Sequence, residues 1–309
     1  MRGIISDKLS GLMEQANLAA KEAKESGVKL TPSLVRANLE KLSVFIGEGP
    51  ELAFVQESAF VTSTHIIPVR VYSPDPEEAL PVVLHYHGGG HMCGSIELYD
   101  TISRKIAKAG NCVVIAVEYR LAPEFPYPAG IEDSQYALAH YQEVLSGVKF
   151  TQELIIVGDS AGGAICTTLA SNNIDNTAVN IDKQILIYPS VDYTMSCAST
   201  DENGVGFLLE KEKMIWYFNH YLQQKEQSKE ASPLFMPMAA SMPKTLIFTA
   251  GCDPLRDESI AYGRALIQAG VHVEQHSFEG MIHAYMLLDS LVKSECEETY
   301  RMIGEFIHS

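Results

Sequence analysis

The amino-acid sequence predicts an α/β protein with a mostly parallel sheet of about eight strands flanked by helices. Two observations predict this class. From about residue 80 onward, short apolar runs rich in β-branched residues alternate with stretches of helical periodicity. These runs are also nearly continuously apolar, which is typical of parallel strands that helices cover on both faces.

The strand candidates leave room for a helix between most neighbours. Two β-rich runs near the start have no helix between them, so we expect an antiparallel beginning to the sheet. The predicted strands are residues 51–60, 64–74, 80–86, 111–119, 153–158, 183–189, 244–251 and 271–278. The predicted helices of this part lie near residues 98–109, 130–145, 160–171, 255–269 and 292–307.

Two segments fall outside this alternation and are expected to form a helical cap. Residues 1–48 contain two helical stretches broken at 31–33, and residues 207–223 insert a helix between strand candidates. We therefore divide the chain into an N-terminal helical cap segment, residues 1–48, and a main domain, residues 49–309. Within the main domain, residues 200–225 are expected to contribute to the cap.

Composition excludes several classes of protein. With 23 basic and 39 acidic residues the chain carries a net charge of −16, which opposes binding to nucleic acid or to anionic membranes. The six cysteines are scattered without a C-x-x-C pair, and most stand in apolar contexts, as expected of reduced thiols in a cytoplasmic protein.

The N-terminal run has charges inside every apolar stretch, so it is neither a signal peptide nor a membrane span. It predicts an amphipathic helix. This helix either packs on its own protein or serves as a lid over a pocket. A helix lying on a membrane surface is disfavoured because its polar face is mixed in charge.

The strongest local motif is the run IIVGDSAGGAICTTLA, residues 155–170. A G-x-S-x-G pattern alone is weak evidence, because glycine and serine are common residues. Here it follows an apolar strand and opens an alanine-rich helix, as in a nucleophile elbow, where glycines permit a sharp turn that exposes the serine. We predict that Ser160 is a nucleophile; the alternative is an ordinary strand-to-helix turn with a capping serine.

A nucleophilic serine needs a base within hydrogen-bond reach and a carboxylate that orients the base. On an elbow of this kind the partners follow later in the chain, the acid before the histidine. Asp253 comes after a predicted strand in TLIFTAGCDPLRDE, and His283 comes after the next one in HSFEGMIHAY. We predict that these two complete a triad. Helix capping by Asp253, and a surface or packing role for His283, are the alternatives.

Neighbouring candidates fit these roles less well. Asp257 and Glu258 fall in the first turn of a predicted helix, where their charges are favourable to the helix dipole. His272 and His276 are placed within the preceding strand, and His308 stands at the C-terminus.

The run HYHGGGH, residues 85–91, allows two interpretations. His85 and His87 point to the same face of a strand and His91 follows a short loop, so the three could supply metal ligands. However, no Asp, Glu or Cys with ligand spacing accompanies them, and we predict no metal. His87 is expected to brace the loop by hydrogen bonding, and His85 and His91 to be structural or to line a pocket.

The glycines of this run offer the second interpretation. A tetrahedral intermediate of acyl transfer carries an oxyanion, which backbone N–H groups stabilise without reorganising side chains. Gly88 and Gly89 are predicted to supply two such donors, and Ala161, directly after the nucleophile, a third.

Several motifs in this order resemble the hormone-sensitive-lipase-like esterases, bacterial family IV carboxylesterases of the α/β-hydrolase fold. The resemblance covers about residue 50 to the C-terminus, and the N-terminal helices match only in position. The matching runs are HGGG (87–90), YRLAPEFPYPAGIED (119–133), GDSAGG (158–163), DPLRDE (253–258) and GMIH (280–283).

The resemblance implies that the main domain is an α/β-hydrolase catalytic domain that hydrolyses short- to medium-chain carboxylic esters through an acyl-enzyme, without a cofactor. Homodimers occur among such esterases. Two alternatives stay open: an amidase or deacetylase that uses the same triad, and a non-catalytic ligand-binding relative. A long-chain lipase is disfavoured because no extended apolar lid is evident.

The chain departs from the family pattern at a few positions. The residues HMC (91–93) stand where an apolar or aromatic residue commonly begins the acyl-site wall, and Ala284 stands where glycine is usual. His85 is also unusual before the glycine loop. Cys93 is either a reactive thiol near the pocket or a buried inert one. These departures affect substrate preference and leave the triad intact. The Pro-rich loop within residues 119–133 is expected to act as rigid packing beside the elbow.

Overall fold

Eight strands form one sheet in the computed structural model, which describes residues 1–176, 178–223 and 227–309. Their order across the sheet is β1-β2-β4-β3-β5-β6-β7-β8. The strands are β1 (Phe54–Val61), β2 (Ile66–Ser73), β3 (Leu80–Tyr86), β4 (Val113–Val117), β5 (Phe150–Asp159), β6 (Lys183–Ile187), β7 (Lys244–Ala250) and β8 (Val273–Phe278).

The pairing confirms the predicted mostly parallel sheet with an antiparallel start. β1 pairs antiparallel with β2, and β2 pairs antiparallel with β4. All later pairs are parallel. Parallel neighbours need crossover connections, which places the carboxyl ends of β3 to β8 along one edge of the sheet.

Several element ends differ from the predicted ones. β4 is shorter than the apolar run 111–119, because Asn111 has a positive φ of 38° and lies in the turn before the strand. β5 begins earlier than predicted because Phe150 already pairs with Leu80 across a register shift. β8 begins at Val273, so His272 lies just before the strand rather than in it.

Helices cover both faces of the sheet. The predicted helix at 130–145 ends as an α-helix at His140 and continues as a 3-10 turn, Tyr141–Val144. The helices are α1 (Asp7–Glu25), α2 (Pro32–Glu40), α3 (Asp100–Ala109), α4 (Ala129–His140), α5 (Ala161–Asn172), α6 (Ser199–Glu202), α7 (Lys211–Leu222), α8 (Ser228–Ala231), α9 (Arg256–Gln268) and α10 (Lys293–Ile307). Among the described residues, none of the helices is both long enough and apolar enough to cross a membrane.

The core has two layers, one on each face of the sheet. On one face α3 and α10 bury Ile106 and Ile303 against strand residues such as Val114. On the other face α5 and α9 bury Leu169 and Leu266 against alternate strand positions. Because side chains alternate along a strand, a continuously apolar strand serves both layers.

The first two helices pack on the main domain through small apolar faces. In α1, Leu9 and Met13 are buried within the α3–α10 layer. In α2, Val35 joins a separate cluster that includes Tyr221 of α7. The break at 31–33 is a helix start, in which the Thr31 hydroxyl accepts the Leu34 N–H at 3.2 Å, a cap of the kind worth about 1 kcal/mol.

Candidate active site

Ser160 lies on a sharp turn between β5 and α5. Its backbone φ of 52° and ψ of −116° fall outside the favoured regions for a residue with a side chain, a strain of about 1–3 kcal/mol. The turn is tight because the strand approaches the helix closely: a Cβ on Gly162 would lie 1.8 Å from the Tyr86 carbonyl oxygen. The fold therefore holds Ser160 at the carboxyl end of the central strand, with its side chain directed out of the turn.

The three predicted triad residues meet at this edge. The Ser160 hydroxyl lies 2.9 Å from Nε2 of His283, and Nδ1 of the same ring lies 2.7 Å from Oδ2 of Asp253. Asp253 is fully buried and its other oxygen accepts the Leu255 N–H at 2.8 Å. With Nδ1–H donating to the carboxylate, Nε2 is free to accept the serine proton.

The loop that carries His283 is strained beside the histidine. Ala284 has a φ of 62° and a ψ of 26°, in the left-handed region that favours glycine. This conformation explains why glycine is usual at this position in the resembling family. It also turns the chain so that His283 faces Ser160 rather than continuing along the edge strand β8.

The structure corrects one predicted oxyanion donor. The N–H of Gly88 donates to Oδ1 of Asp159 at 2.7 Å, so it points toward a buried carboxylate and is not available to a substrate oxygen. The N–H groups of Gly89, Gly90 and Ala161 donate to no acceptor within residues 1–176, 178–223 and 227–309. The set of available donors is therefore shifted by one residue along the glycine loop.

Asp159 fixes the glycine loop through hydrogen bonds to its carboxylate. Its second oxygen accepts the Tyr99 hydroxyl at 3.1 Å, and the residue is 4% exposed. Burial raises the pKa of Asp159 to about 6, although the Tyr99 hydroxyl, the Gly88 N–H and nearby His283 each act in the opposite direction. Sequence inspection missed this residue because its role depends on a glycine 71 positions away.

The histidines of the glycine run each have a local structural partner. His85 donates from Nδ1 to the Ser103 hydroxyl at 2.9 Å, and His87 donates from Nδ1 to the carbonyl of Gly88 at 2.7 Å. His91 lies 2.9 Å from the Tyr193 hydroxyl through Nε2. Burial lowers the pKa of both His85 and His91 to about 3, which keeps the rings neutral.

No cluster of metal ligands is evident among the residues that the structure describes. Within them, no group of three or more His, Cys, Asp or Glu side chains is arranged to hold a metal ion. His87 instead has the bracing contact predicted for it. Its ring also stacks on Tyr119 at a centroid distance of 4.6 Å, and the Tyr119 hydroxyl donates to the His87 carbonyl.

The Pro-rich loop beside the elbow is closed by an ion pair. Arg120 and Asp133, near its two ends, lie 2.8 Å apart, and the Asp133 carboxylate also accepts the Arg120 N–H. The carbonyl of Ala122 in this loop accepts from Arg36 of α2, whose guanidinium also donates to the carbonyl of Met92. The loop thus links α2 to the chain after the glycines.

Glu258 lies in the first turn of α9 as predicted, but it does more than act as a charge favourable to the helix dipole. It is fully buried, and its Oε1 accepts the N–H groups of Val191 at 2.7 Å and Asp192 at 3.1 Å. Burial raises the pKa of Glu258 well above its ordinary value. Asp257, in contrast, remains partly exposed in the first turn as predicted. Glu258 therefore fixes the chain after β6, a contact that no local pattern signals.

Residues of α7 cover the glycine loop. A Cβ on Gly90 would lie 2.8 Å from the Tyr217 ring, so this ring rests directly on the loop. Tyr221, one turn later, stacks on His91 at a centroid distance of 3.9 Å. Cys93 is 1% exposed and burial raises the pKa of its thiol, which fits the inert alternative.

Comparison with known protein families matches residues 83–287 to the alpha/beta hydrolase fold family. The chain belongs to this family. The match covers the glycine loop, the elbow and all three triad positions. Within the alpha/beta hydrolase family, the resemblance to hormone-sensitive-lipase-like, family IV esterases drawn from the motifs is also confirmed.

Individual members of the family resemble the chain over most of its length. The ethyl acetate hydrolase of Pseudomonas putida is 34% identical over 281 residues, 87% of each chain. The carboxylesterase NlhH of Mycobacterium tuberculosis is 34% identical over 275 residues, 87% of this chain and 86% of its own. A solved structure, the hyperthermophilic esterase of the archaeon Pyrobaculum calidifontis, is 29% identical, superposes with a TM-score of 0.87 and covers 98% of both chains.

Proposed function

We propose that the chain is a serine carboxylesterase that hydrolyses short- to medium-chain carboxylic esters through an acyl-enzyme. The observation that carries the proposal is the hydrogen-bonded series Asp253–His283–Ser160 on a nucleophile elbow, with distances of 2.7 and 2.9 Å. The names of the relatives support the reaction class, and one of them is named for a two-carbon acyl ester.

In the proposed first half-reaction Ser160 Oγ attacks the ester carbonyl while Nε2 of His283 takes the hydroxyl proton. Asp253 holds the ring in the required tautomer and stabilises the imidazolium that forms. The carbonyl oxygen becomes an oxyanion, which accepts hydrogen bonds from the N–H groups of Gly89, Gly90 and Ala161. Collapse of this intermediate breaks the bond to the leaving alkoxide, which receives the proton from His283.

In the second half-reaction a water molecule gives a proton to His283 and attacks the acyl carbon of the ester formed on Ser160. A second oxyanion forms in the same site. Its collapse releases the carboxylic acid and returns the proton to Ser160. The cycle needs only water and the ester, so no cofactor enters it.

We also propose that residues 1–48 and 200–225 act together as the cap. Support comes from the packing of Val35 in α2 with Tyr221 in α7, and of Tyr217 on the glycine loop. Residues 224 and 225 of the predicted cap lie outside the described residues. A cytoplasmic location remains a prediction, and the six unpaired cysteines support it. A homodimer also remains a prediction, which sedimentation velocity tests.

The proposed activity is tested by labelling and by substitution. An organophosphonate should add covalently to Ser160, and mass spectrometry of the peptide that contains residues 155–170 locates the adduct. Ser160→Ala should abolish both labelling and turnover of p-nitrophenyl butyrate while the circular dichroism spectrum stays native. A folded Ser160→Ala protein that keeps more than a few per cent of turnover would refute the assignment.

A further inference from the structure

One cation of the cap lies next to the glycine loop. Lys213 and Tyr217 are four residues apart in α7, so their side chains occupy the same helix face. The Lys213 Nζ lies 6.0 Å from the centroid of the Tyr217 ring, and that ring rests on Gly90. The ammonium and Gly90, one of the proposed oxyanion donors, therefore both lie next to the Tyr217 ring.

Lys213 lacks the carboxylate partner that neighbouring cations have. Lys211 in the same turn pairs with Asp201, and Arg36 of α2 pairs with Glu124 at 2.6 Å. Among the described residues, no Asp or Glu oxygen lies within 4.0 Å of the Lys213 Nζ, and the side chain donates no hydrogen bond. The nearest acid in sequence on the same side, Glu210, accepts the Gly206 N–H at 3.1 Å.

Two acidic groups, Cys93 and Glu210, lie close enough to Lys213 to raise the pKa of its ammonium, but the effect of burial is larger. Cys93 lies close enough to Lys213 to interact electrostatically, yet burial raises the pKa of its thiol, so it stays protonated at neutral pH. Lys213 is half-buried, and burial lowers the pKa of its ammonium. A partly desolvated cation without a carboxylate in direct contact is costly, and an anion placed beside it recovers part of that cost.

We infer that Lys213 binds a carboxylate on the substrate, so that the enzyme favours esters that carry a free carboxylate beyond the scissile bond. This inference rests on the proposed esterase function and narrows its substrate class. The net charge of −16 on the whole chain repels anionic esters at long range. Selection of such esters would therefore depend on a local cation beside the glycine loop.

The test compares matched esters in wild-type protein and in Lys213→Met. One pair places the carboxylate on the acyl side: monomethyl glutarate against methyl hexanoate. The other places it on the alcohol side: butyryloxyacetate against propyl butyrate. For each pair the readout is the ratio of kcat/KM for the anionic ester to that for the neutral ester, measured by titration of the released acid.

We expect Lys213→Met to lower this ratio about five- to tenfold in one of the two pairs, the size typical of a partly buried ion pair. The affected pair identifies the side of the ester that faces α7. Lys213→Arg should keep the wild-type ratio to within about twofold, since it retains the charge. Lys211→Met is the matched control on the same helix and should leave both ratios unchanged.

If the ratio for each pair is the same in wild-type protein and in Lys213→Met, the inference is wrong. Hydrolysis of the neutral esters in that experiment would still support the esterase function. A folded wild-type protein that hydrolyses none of the four esters overturns both. If Lys213→Met does not fold, the ratio in Lys213→Gln decides in the same way.

Discussion

Asp159 is a buried carboxyl whose pKa is raised chiefly by its removal from water. It stands directly before the nucleophile, and its carboxylate accepts the Gly88 N–H and the Tyr99 hydroxyl. These bonds fix the start of the glycine loop, while the next two N–H groups have no acceptor among the described residues. This anchor requires a buried carboxylate, and burial raises the pKa of Asp159 to about 6.

Asp159→Asn is expected to change the pH dependence of stability. The folded protein holds the Asp159 proton more tightly than the unfolded chain, whose Asp pKa is about 4. The stability from this group is fully present below pH 4 and is lost as the pH rises through about 6. We expect the free energy of unfolding of Asp159→Asn, relative to wild type, to increase by roughly 3 kcal/mol between pH 4 and pH 8.

Urea denaturation at a series of pH values measures this difference. Asn keeps a carbonyl oxygen that accepts the Gly88 N–H, so the loop anchor is retained. Parallel stability curves for the two proteins across this range would show that the wild-type carboxyl does not titrate as its burial requires.

Asp253→Asn is expected to lower kcat for p-nitrophenyl butyrate by roughly 10³- to 10⁴-fold, with little change in folding. An amide in place of the carboxylate no longer fixes the tautomer of His283 in which Nε2 accepts the serine proton. Asp257→Asn is the matched control, because it changes an acid four residues further on that accepts the Ser199 N–H outside the triad. Similar losses in the two variants would contradict the assignment of Asp253.

At the scale of elements, the geometry of the site depends on how closely β5, β3 and α5 approach one another. β5 pairs with β3 up to Gly158, and the chain then turns sharply into α5. Ser160 is presented at this turn, and Gly88, the first glycine of the loop, stands two residues after the end of β3. Two adjacent parallel strands therefore carry both halves of the proposed oxyanion site.

Gly162→Ala should be severely destabilising, because its Cβ would lie 1.8 Å from the backbone oxygen of Tyr86. Neither group is the end of a flexible side chain, so strand and helix must separate. We expect a loss of at least about 3 kcal/mol in the free energy of unfolding, or failure to fold. Thermal and urea denaturation measure the effect.

Gly11→Ala in α1 is the control for this substitution. A Cβ at Gly11 meets nothing within 4 Å, so the change should stabilise the protein by about 0.5–1 kcal/mol through helix propensity alone. If Gly162→Ala were tolerated as well as Gly11→Ala, the close approach at the elbow would be wrong.

At the scale of the whole molecule, the sheet edge assembles parts that are far apart along the chain. His283 is 123 residues from Ser160 and 30 residues from Asp253, yet the three side chains form one hydrogen-bonded series. Covalent cross-links contribute nothing to this assembly, because all six cysteines are free and five of them are buried. Hydrophobic packing on both faces of the sheet supplies the main stabilisation.

The thermal unfolding midpoint should therefore be the same with and without a reductant such as dithiothreitol. Thiol titration of the native protein should be slow at all six positions: five are buried, and burial raises the pKa of the half-buried Cys197 to about 11. Titration in denaturant without reductant should give six thiols. A lower midpoint in dithiothreitol would reveal a disulfide and contradict this structure.

Local patterns in the sequence determined the order of elements, the elbow and the residues of the proposed triad. Apolar runs and turn glycines act over a few residues, and the chain order of serine, acid and histidine follows from a sheet of this topology. Element ends were less certain because pairing partners decide them, as Phe150 opposite Leu80 shows.

Only the tertiary structure decided which glycine N–H groups stay available as donors and which acids are buried. Gly88 and Gly89 look alike in sequence, but Asp159 engages one and leaves the other available. Glu258 looks like an exposed helix charge, yet it binds the chain after β6. These contacts join residues 71 and 67 positions apart, where desolvation and backbone hydrogen bonding outweigh any local preference.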